Sequence, residues 1–505
     1  KKPELLAPCG SFDALRAAVN AGADAVYFGG KAFSARMNAR NFDRDEIVKA
    51  VAHCHQNGVR AYAALNTQIT DKELKQAAED AAFLYQAGVD ALIVSDLGLA
   101  ALIADAAPDL ALHASTQAAG HNAAAASGLA GLGFRRMVCA RELCAKDVRA
   151  LCAAAPIEIE MFVHGALCVS QSGGCLMSAV IGGRSGNRGA CAQPCRLPYN
   201  GGYPLSLKDL CLAGHMREVL ASGVASLKIE GRMKSAAYVD GVVSIYRRLI
   251  DEGRDATEKE MERLRRLFSR SGFTDGYFTG RPGPAMLGVR TAEDKNRSAA
   301  LPTRKSGGAV RPALTPPKRG PVQFAVPESG RSPAPLTLRS ARFYRADAIP
   351  QNARDYFDII YLPLSQYTKE ANGVLLPPVI PESQTERVRR RLAAARQAGA
   401  AHVLVSNLGQ LPLCRAFDFQ IHIDYRLNVF NSPAALYFSQ FGDVLLSPEL
   451  TLPQLRDIRG SKAAVVYGRL PLMTIERPME EKELRDRRGV RFPLIKEGGR
   501  TLLLN

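Results

Sequence analysis

The chain has 505 residues, 47% of them hydrophobic, which suggests two to four domains and no stretch of about eighteen apolar residues able to cross a membrane. Its formal charge of +17 suits a polyanionic partner such as RNA, while the absence of Trp argues against an extended base-stacking platform. Eleven cysteines, with no apolar signal segment ahead of the first strand pattern, point to a reducing cytoplasm and to metal or redox use rather than a disulfide framework.

From the opening KKPELLAPCG, which lacks an initiator Met, strand and helix signals alternate over residues 1–255. Short runs rich in β-branched residues predict strands at Glu4–Ala7, Ala25–Gly29, Arg60–Leu65, Ala91–Ser95, Leu110–His113, Met137–Ala140, Ile157–Val163 and Ser226–Glu230. Ala-rich amphipathic stretches between them predict helices. Several helices end on a glycine before the next strand, as in NAGADAVYFG, QAGVDALIVSD and ASGVASLKIEG. Eight βα units in this length predict an α/β fold, a (β/α)₈ TIM-type barrel. An open doubly wound sheet is disfavoured because no G-x-G-x-x-G follows the first strand.

The seventh βα connection, residues 165–208, is far longer than the others and leaves the C-terminal face, where barrel active sites sit. It carries Cys168, Cys175, Cys191 and Cys195, with Cys211 an alternative fourth ligand. Four soft thiolates suit an iron–sulfur cluster or zinc, and the open spacing of the first pair favours iron–sulfur over a zinc ribbon. Cys54, Cys139, Cys152 and Cys414 lie in helix or strand patterns and read as small buried hydrophobes.

Polar residues at the strand ends form a rim: Asn66, Asp96, Gln117, Arg141, Glu142, His164, Glu230 and Arg232. Arg141 and Arg232 are candidates to clamp a carboxylate or phosphate, with Asn66, Asp96 and Gln117 as further binding residues. Glu142, His164 and Glu230 are candidate acid–base groups, although each also reads as a cap or an ion-pair partner. No H-E-x-x-H, G-x-S-x-G or P-loop is present.

Residues 256–295 read as a charged helix and small appendage, and 296–337 as a flexible basic Pro/Ser/Gly-rich linker. Residues 338–505 then repeat the first half in diverged form, as a second, partial barrel-like α/β domain. QAGVDALIVSDLG (86–98) returns as QAGAAHVLVSNLG (397–409), and the nine-residue spacing of His113 and Asn122 returns at His422 and Asn431. VHGALC (163–168) aligns with VYGRLP (466–471), and NRGAC (187–191) with DRRGVRF (486–492), so this copy lacks the cysteines. Its expected role is structural or RNA binding. Because the chain stops within the apolar RTLLLN, a truncated C-terminus is expected.

PELLAPCGS, GADAVYFGG, GGRSGNRGACAQPCRLPY and SLKDLC…SLKIEGRMKS resemble the peptidase U32 family across the first barrel, and RLNVFNS and LLSPELTLPQLRDI resemble the C-terminal part of its longer members. The resemblance implies two activities. One is a collagenase-like protease. The other is hydroxylation of pyrimidine C5 in tRNA or rRNA, or of a small quinone precursor, by members that carry a 4Fe–4S cluster on four cysteines. It also implies prephenate as a co-substrate of the RNA enzymes. A redox cluster and a basic chain favour the RNA hydroxylase, acting in the cytoplasm without an obligate protein partner. A base modified at C5 would have to be unstacked.

Overall fold

A computed structural model describes residues 2–37, 39–299, 311–328, 330 and 338–505. Strands β1 (Glu4–Pro8), β2 (Ala25–Gly29), β3 (Arg60–Leu65), β4 (Ala91–Val94), β5 (Ala111–Ala114), β6 (Phe134–Val138) and β7 (Glu158–Gly165) pair in sequence, all parallel. β8 (Asp209–Cys211) is a short antiparallel addition to the end of β7. β9 (Ser226–Ile229) pairs in parallel with both β7 and β1 and closes the ring. The result is an eight-stranded parallel TIM-type barrel with helices between its strands.

Local chemistry explains the regularity. Gly22, Gly88 and Gly223 have φ of 90°, 82° and 87°, so each ends its helix in the left-handed conformation as the pattern predicted. Asp43 with Glu46, and Thr70 with Glu73, form capping boxes at helix starts. β6 begins three residues before the predicted Met137. Its FRR start hides a strand because Arg136 points into the barrel, not to water.

Arg136 anchors a buried charge network near the N-terminal end of the barrel. Its guanidinium lies 2.7 Å from Glu4, 2.7 Å from Glu158 and 3.1 Å from Glu160, and Lys228 lies 2.8 Å from Glu160. Burial pushes the Glu160 carboxyl up, but Lys228 and Arg136 outweigh it and hold it at about 2.

After β9 come helices Ala236–Glu252 and Glu258–Leu267 and strand β10 (Phe273–Thr274), which pairs with β8. Part of the expected linker, 300–310, 329 and 331–337, lies outside the described residues. The described stretch 311–328 runs extended along the barrel and is held there. Arg311 donates to the carbonyls of Gly22 and Ala23, and Arg319 to that of Val89.

The second half is a six-stranded parallel sheet in the order β11 (Ser340–Arg342), β12 (Ile359–Pro363), β13 (Gly373–Leu375), β14 (His402–Val405), β15 (Gln420–Ile423) and β16 (Gly442–Val444). It is a half-barrel, as the internal repeat implied. The repeat fails beyond β16. Strands β17 (Pro471–Ile475), β18 (Glu483–Arg485), β19 (Arg491–Glu497) and β20 (Arg500–Leu504) form an antiparallel sheet in the order β17–β20–β19–β18. VYGRLP therefore does not rebuild a seventh barrel strand, and RTLLLN is an interior strand paired on both sides.

The two repeats meet reciprocally. Gly98 lies so close to the Asn431 amide that an added Cβ would fall 2.2 Å from its oxygen, and Gly409 stands in the same relation to Asn122. Each Asn caps the helix that follows it. The repeated residues thus form a pseudo-twofold seam, which only glycine can fill at 98 and 409.

Candidate functional site

The site is built at the C-terminal mouth of the first barrel, beneath the long 166–208 loop. Glu230, at the end of β9, is its centre. Arg36, on the loop after β2, pairs with the Glu230 carboxylate at 3.3 Å and remains 34% exposed. Burial raises the Glu230 carboxyl, but Arg36, Arg141, Arg232 and Lys228 together pull it below the ordinary range. Arg36 thus touches the carboxylate, Arg141 and Arg232 act on it at longer range, and Lys228 is itself paired with Glu160. Such a pocket favours a further anion.

Each arginine is positioned by backbone shape. Arg232 is buried, donates to Ser34 Oγ at 2.5 Å and is lowered to about 10 by that burial, so it remains cationic at neutral pH. Gly29 makes room for it, since a Cβ there would lie 2.4 Å from the guanidinium. Arg141 stacks over the Phe162 ring at 4.5 Å, and its buried Nε has no hydrogen-bond partner among the described residues. Asn66 accepts from the Ala35 amide at 3.0 Å, fixing the loop that carries Arg36.

On the opposite side of the mouth, Glu142 accepts from His121 Nε2 at 2.9 Å with its side chain 4% exposed. Asn407, from the second half, donates to His121 Nδ1 at 3.1 Å, which places the imidazole proton on Nε2. Burial raises the Glu142 carboxyl, yet the hydrogen bond from His121 helps bring it below the usual range. His164 is buried among the rings of Tyr238, Tyr246 and Phe273 and is lowered to about 3 by burial, so it is neutral at physiological pH. Its Nδ1 lies 3.3 Å from the Tyr246 hydroxyl and its Nε2 is unpartnered among the described residues.

The 166–208 loop bridges these two sides. Burial drives Cys175 well above a normal thiol, with Cys168, Cys195 and Cys191 adding to the rise. Burial likewise pushes Cys195 up to about 12, and Cys168 and Cys191 add to it. Cys175 and Cys195 therefore each lie within electrostatic reach of the other three thiols. Cys191 also lies within reach of Arg36, and Cys168 of Tyr277, which in turn senses Glu142. The Gln193 amide donates to Cys191 Sγ at 3.3 Å.

Cys211 is not in this group. It is buried on β8 with its sulfur 3.8 Å from the Tyr246 hydroxyl. Asp96 also departs from the rim: it accepts from the Ile69 and Leu99 amides and from Asn431, so it caps a helix at the seam. Gln117 donates to the Gly186 carbonyl at 3.5 Å, reaching the loop rather than the arginines. Cys54, Cys139 and Cys414 are buried and Cys152 is half-buried.

The second half clamps the loop. The Gln171 amide donates to the Thr474 carbonyl at 2.7 Å, and that of Leu176 to the Leu472 carbonyl at 2.8 Å. Arg36, His121 and Asn407 escaped the sequence reading because they gain their roles only across loops or across the seam. Their position just past strands β2, β5 and β14 was the one available signal.

A family model for peptidase family U32 matches residues 10–287. The chain belongs to peptidase family U32. Its relatives include the 23S rRNA 5-hydroxycytidine synthase of Escherichia coli, 39% identical over 319 residues, covering 57% of this chain and 48% of that protein. This U32 chain thus spans about half the length of that relative. The tRNA hydroxylation protein P1 of Bacillus subtilis is 35% identical, with 56% of this chain and 72% of that protein covered. A protein named collagenase from Porphyromonas gingivalis is 36% identical, with 55% and 73% covered. A solved U32 peptidase structure aligns with a TM-score of 0.34 at 18% identity, over 45% of this chain and 93% of that one. No helix among the described residues is long and apolar enough to cross a membrane.

Proposed function

We propose that this U32 protein is an iron–sulfur-dependent RNA hydroxylase that adds a hydroxyl to C5 of a pyrimidine in rRNA or tRNA. The observation that carries the reading is the placement of a four-cysteine loop over a mouth whose Glu230 carboxylate pairs with Arg36 and lies within the field of Arg141 and Arg232. The relatives named for rRNA and tRNA hydroxylation support RNA as the substrate class.

Cys168, Cys175, Cys191 and Cys195 would hold the cluster. Among the described residues, no three His, Cys, Asp or Glu side chains converge tightly enough for a single metal ion. Four soft thiolates on one loop, with only the second pair closely spaced in sequence, support a polynuclear iron–sulfur group over one tetrahedral zinc. When bound, the cluster supplies one-electron redox chemistry.

The chain's own residues do the rest. Arg36, Arg141 and Arg232 bind and orient a carboxylate-bearing co-substrate, with prephenate the candidate. The co-substrate's carboxylate would offset the positive charge that Glu230 leaves unbalanced. Glu142 holds the proton of His121 Nε2, in a tautomer set by Asn407. The protease reading gains no geometric support, because no thiol among the described residues hydrogen-bonds a histidine.

The test is mass spectrometry of rRNA and tRNA nucleosides from a strain lacking the gene and from the same strain complemented with it. The expected result is a hydroxylated pyrimidine that disappears and returns. Identical nucleoside profiles would sink the proposal.

A further inference from the structure

The half-barrel has its own C-terminal mouth. There the ends of β12 and β13, at Pro363 and Leu375, the start of helix Thr385–Gln397 and the β19–β20 turn enclose a cavity of about 150 Å³. Small-molecule sites run to roughly 300–1,000 Å³, so this cavity takes one protruding group of a larger ligand.

Its chemistry is that of a phosphate site. Arg387 and Arg391 line it one helical turn apart, roughly 6 Å along the axis, and both are exposed. Among the described residues neither forms an ion pair. Arg387 donates only to the Gln384 side chain, at 2.9 Å, and the helix's one acidic residue, Glu386, pairs with Arg389 instead. Arg390 adds a further exposed cation. On the other rim, Gly498 and Gly499 have φ of 56° and 89°, and a Cβ at either would meet nothing within 4 Å, so ligand can approach the backbone closely.

Two carboxylates also line the cavity. Glu476 is already satisfied by Arg500 at 2.5 Å. Glu497 remains as an acceptor suited to a sugar hydroxyl or a base amino group. Cations for phosphate beside one acceptor for a hydroxyl fit a nucleotide unit better than a bare anion.

The location matters as much. Pro377 lines the cavity, and the carbonyl of the next residue, Pro378, accepts from the Gln171 side chain of the cysteine loop at 3.3 Å. A strand held here lies beside that loop.

We propose that this second mouth docks the backbone of the substrate RNA, with Arg387 and Arg391 on its phosphates and Glu497 on a sugar or base donor. The inference rests on the RNA reading above and adds where the RNA is held.

The test uses the full chain with its cluster loaded and a short fluorescein-labelled single-stranded RNA of mixed sequence, followed by anisotropy at several KCl concentrations. Replacing both arginines (R387A with R391A) should weaken binding at least tenfold and flatten the slope of log affinity against log salt by about 1.4, since each phosphate contact on a single strand contributes about 0.7. The doubly substituted R387K with R391K should keep most of the slope, because the charge remains. Inorganic phosphate should compete with RNA on the wild type and not on the alanine variant. RNA affinity and slope within twofold of wild type in the alanine variant would overturn the site, as would arginine-dependent binding of inorganic phosphate with no change in RNA binding. RNA hydroxylation measured on the same preparations separates the two levels. An active wild type with an indifferent variant removes only this site, whereas a wild type that neither binds nor modifies RNA removes the parent reading too.

Discussion

The two mouths share an origin in the repeated sequence and differ in what they kept. The first holds four thiols and an arginine-ringed carboxylate under a long loop. The second has no cysteine at its mouth and keeps a basic helix beside a small cavity. The divergence begins where the seventh strand would be. In the first copy VHGALC continues as a parallel strand and releases the loop. In the second, the matching segment leads into antiparallel β17, whose edge hydrogen-bonds that loop through Thr474 and Leu472. One copy carries the cysteine loop and the other holds it in place. A diverged duplicate is thus free to lose the cysteines without losing its use.

The largest effect expected from disturbing this division is on the cysteines. Cys168→Ala or Cys191→Ala should remove bound iron from anaerobically purified protein and reduce hydroxylation by more than a hundredfold. Cys54→Ala, on a buried helix face, should do neither. Iron per chain and the visible absorbance read the difference, and full iron retention in Cys191→Ala would break the assignment of that ligand.

Next is the charge network at the N-terminal end of the first barrel; the second half carries a different buried set, Arg342 and Arg426 on Asp424. Arg136→Met leaves buried Glu160 with Lys228 alone and Glu4 with Arg60 and Tyr62, and should cost about 3 kcal/mol in urea unfolding. The pH dependence follows from Glu160. Its folded value of about 2 lies below the ordinary 4.5, so its contribution is complete above about 4.5 and is lost as pH falls toward 2. Wild-type stability should fall across that window. A flat profile there would show that the network is not an ionised one.

The seam gives a matched pair. Gly98→Ala and Gly409→Ala each push a methyl against the partner helix's capping Asn, at 2.2 Å in both cases. Each should cost about 1–3 kcal/mol, and by similar amounts if the pseudo-twofold is real. Strongly unequal losses would show that one half of the seam dominates.

The smallest effect concerns the hydrogen bond from Asn407 to His121, one of several that cross from the second half into the first mouth. Asn407→Ala should lower kcat about tenfold with KM little changed, the loss of one hydrogen bond of roughly 1.4 kcal/mol. Because Asn407 acts through His121, the pH profile of kcat should also move, which loss of a merely structural contact would not cause.

Much of this was legible in the sequence for a physical reason. Barrel strands are buried on both faces and separated by helices that stop on left-handed glycines, so β1 to β7 and β9 stand out as apolar runs between fixed punctuation. The exception, the start of β6, was hidden because Arg136 is a core residue paired inside the barrel. The cysteine spacing and the long loop were equally visible. Arg36, His121 and Asn407 were not, since nothing local separates a loop arginine that meets a buried carboxylate from one in water. Asp96 misled for the complementary reason: a carboxylate at a strand end reads the same whether it faces the mouth or caps a helix at the seam.

By itself, then, the sequence determined the barrel, the internal repeat and the four cysteines of one loop, because periodicity, punctuation and spacing are local properties of the chain. Only the tertiary structure decided which arginines gather around Glu230, that Cys211 stands apart from the other four, and that the second copy clamps the loop. Those outcomes depend on contacts between residues as many as three hundred positions apart, and burial, which the chain alone does not record, sets the charge each of them carries.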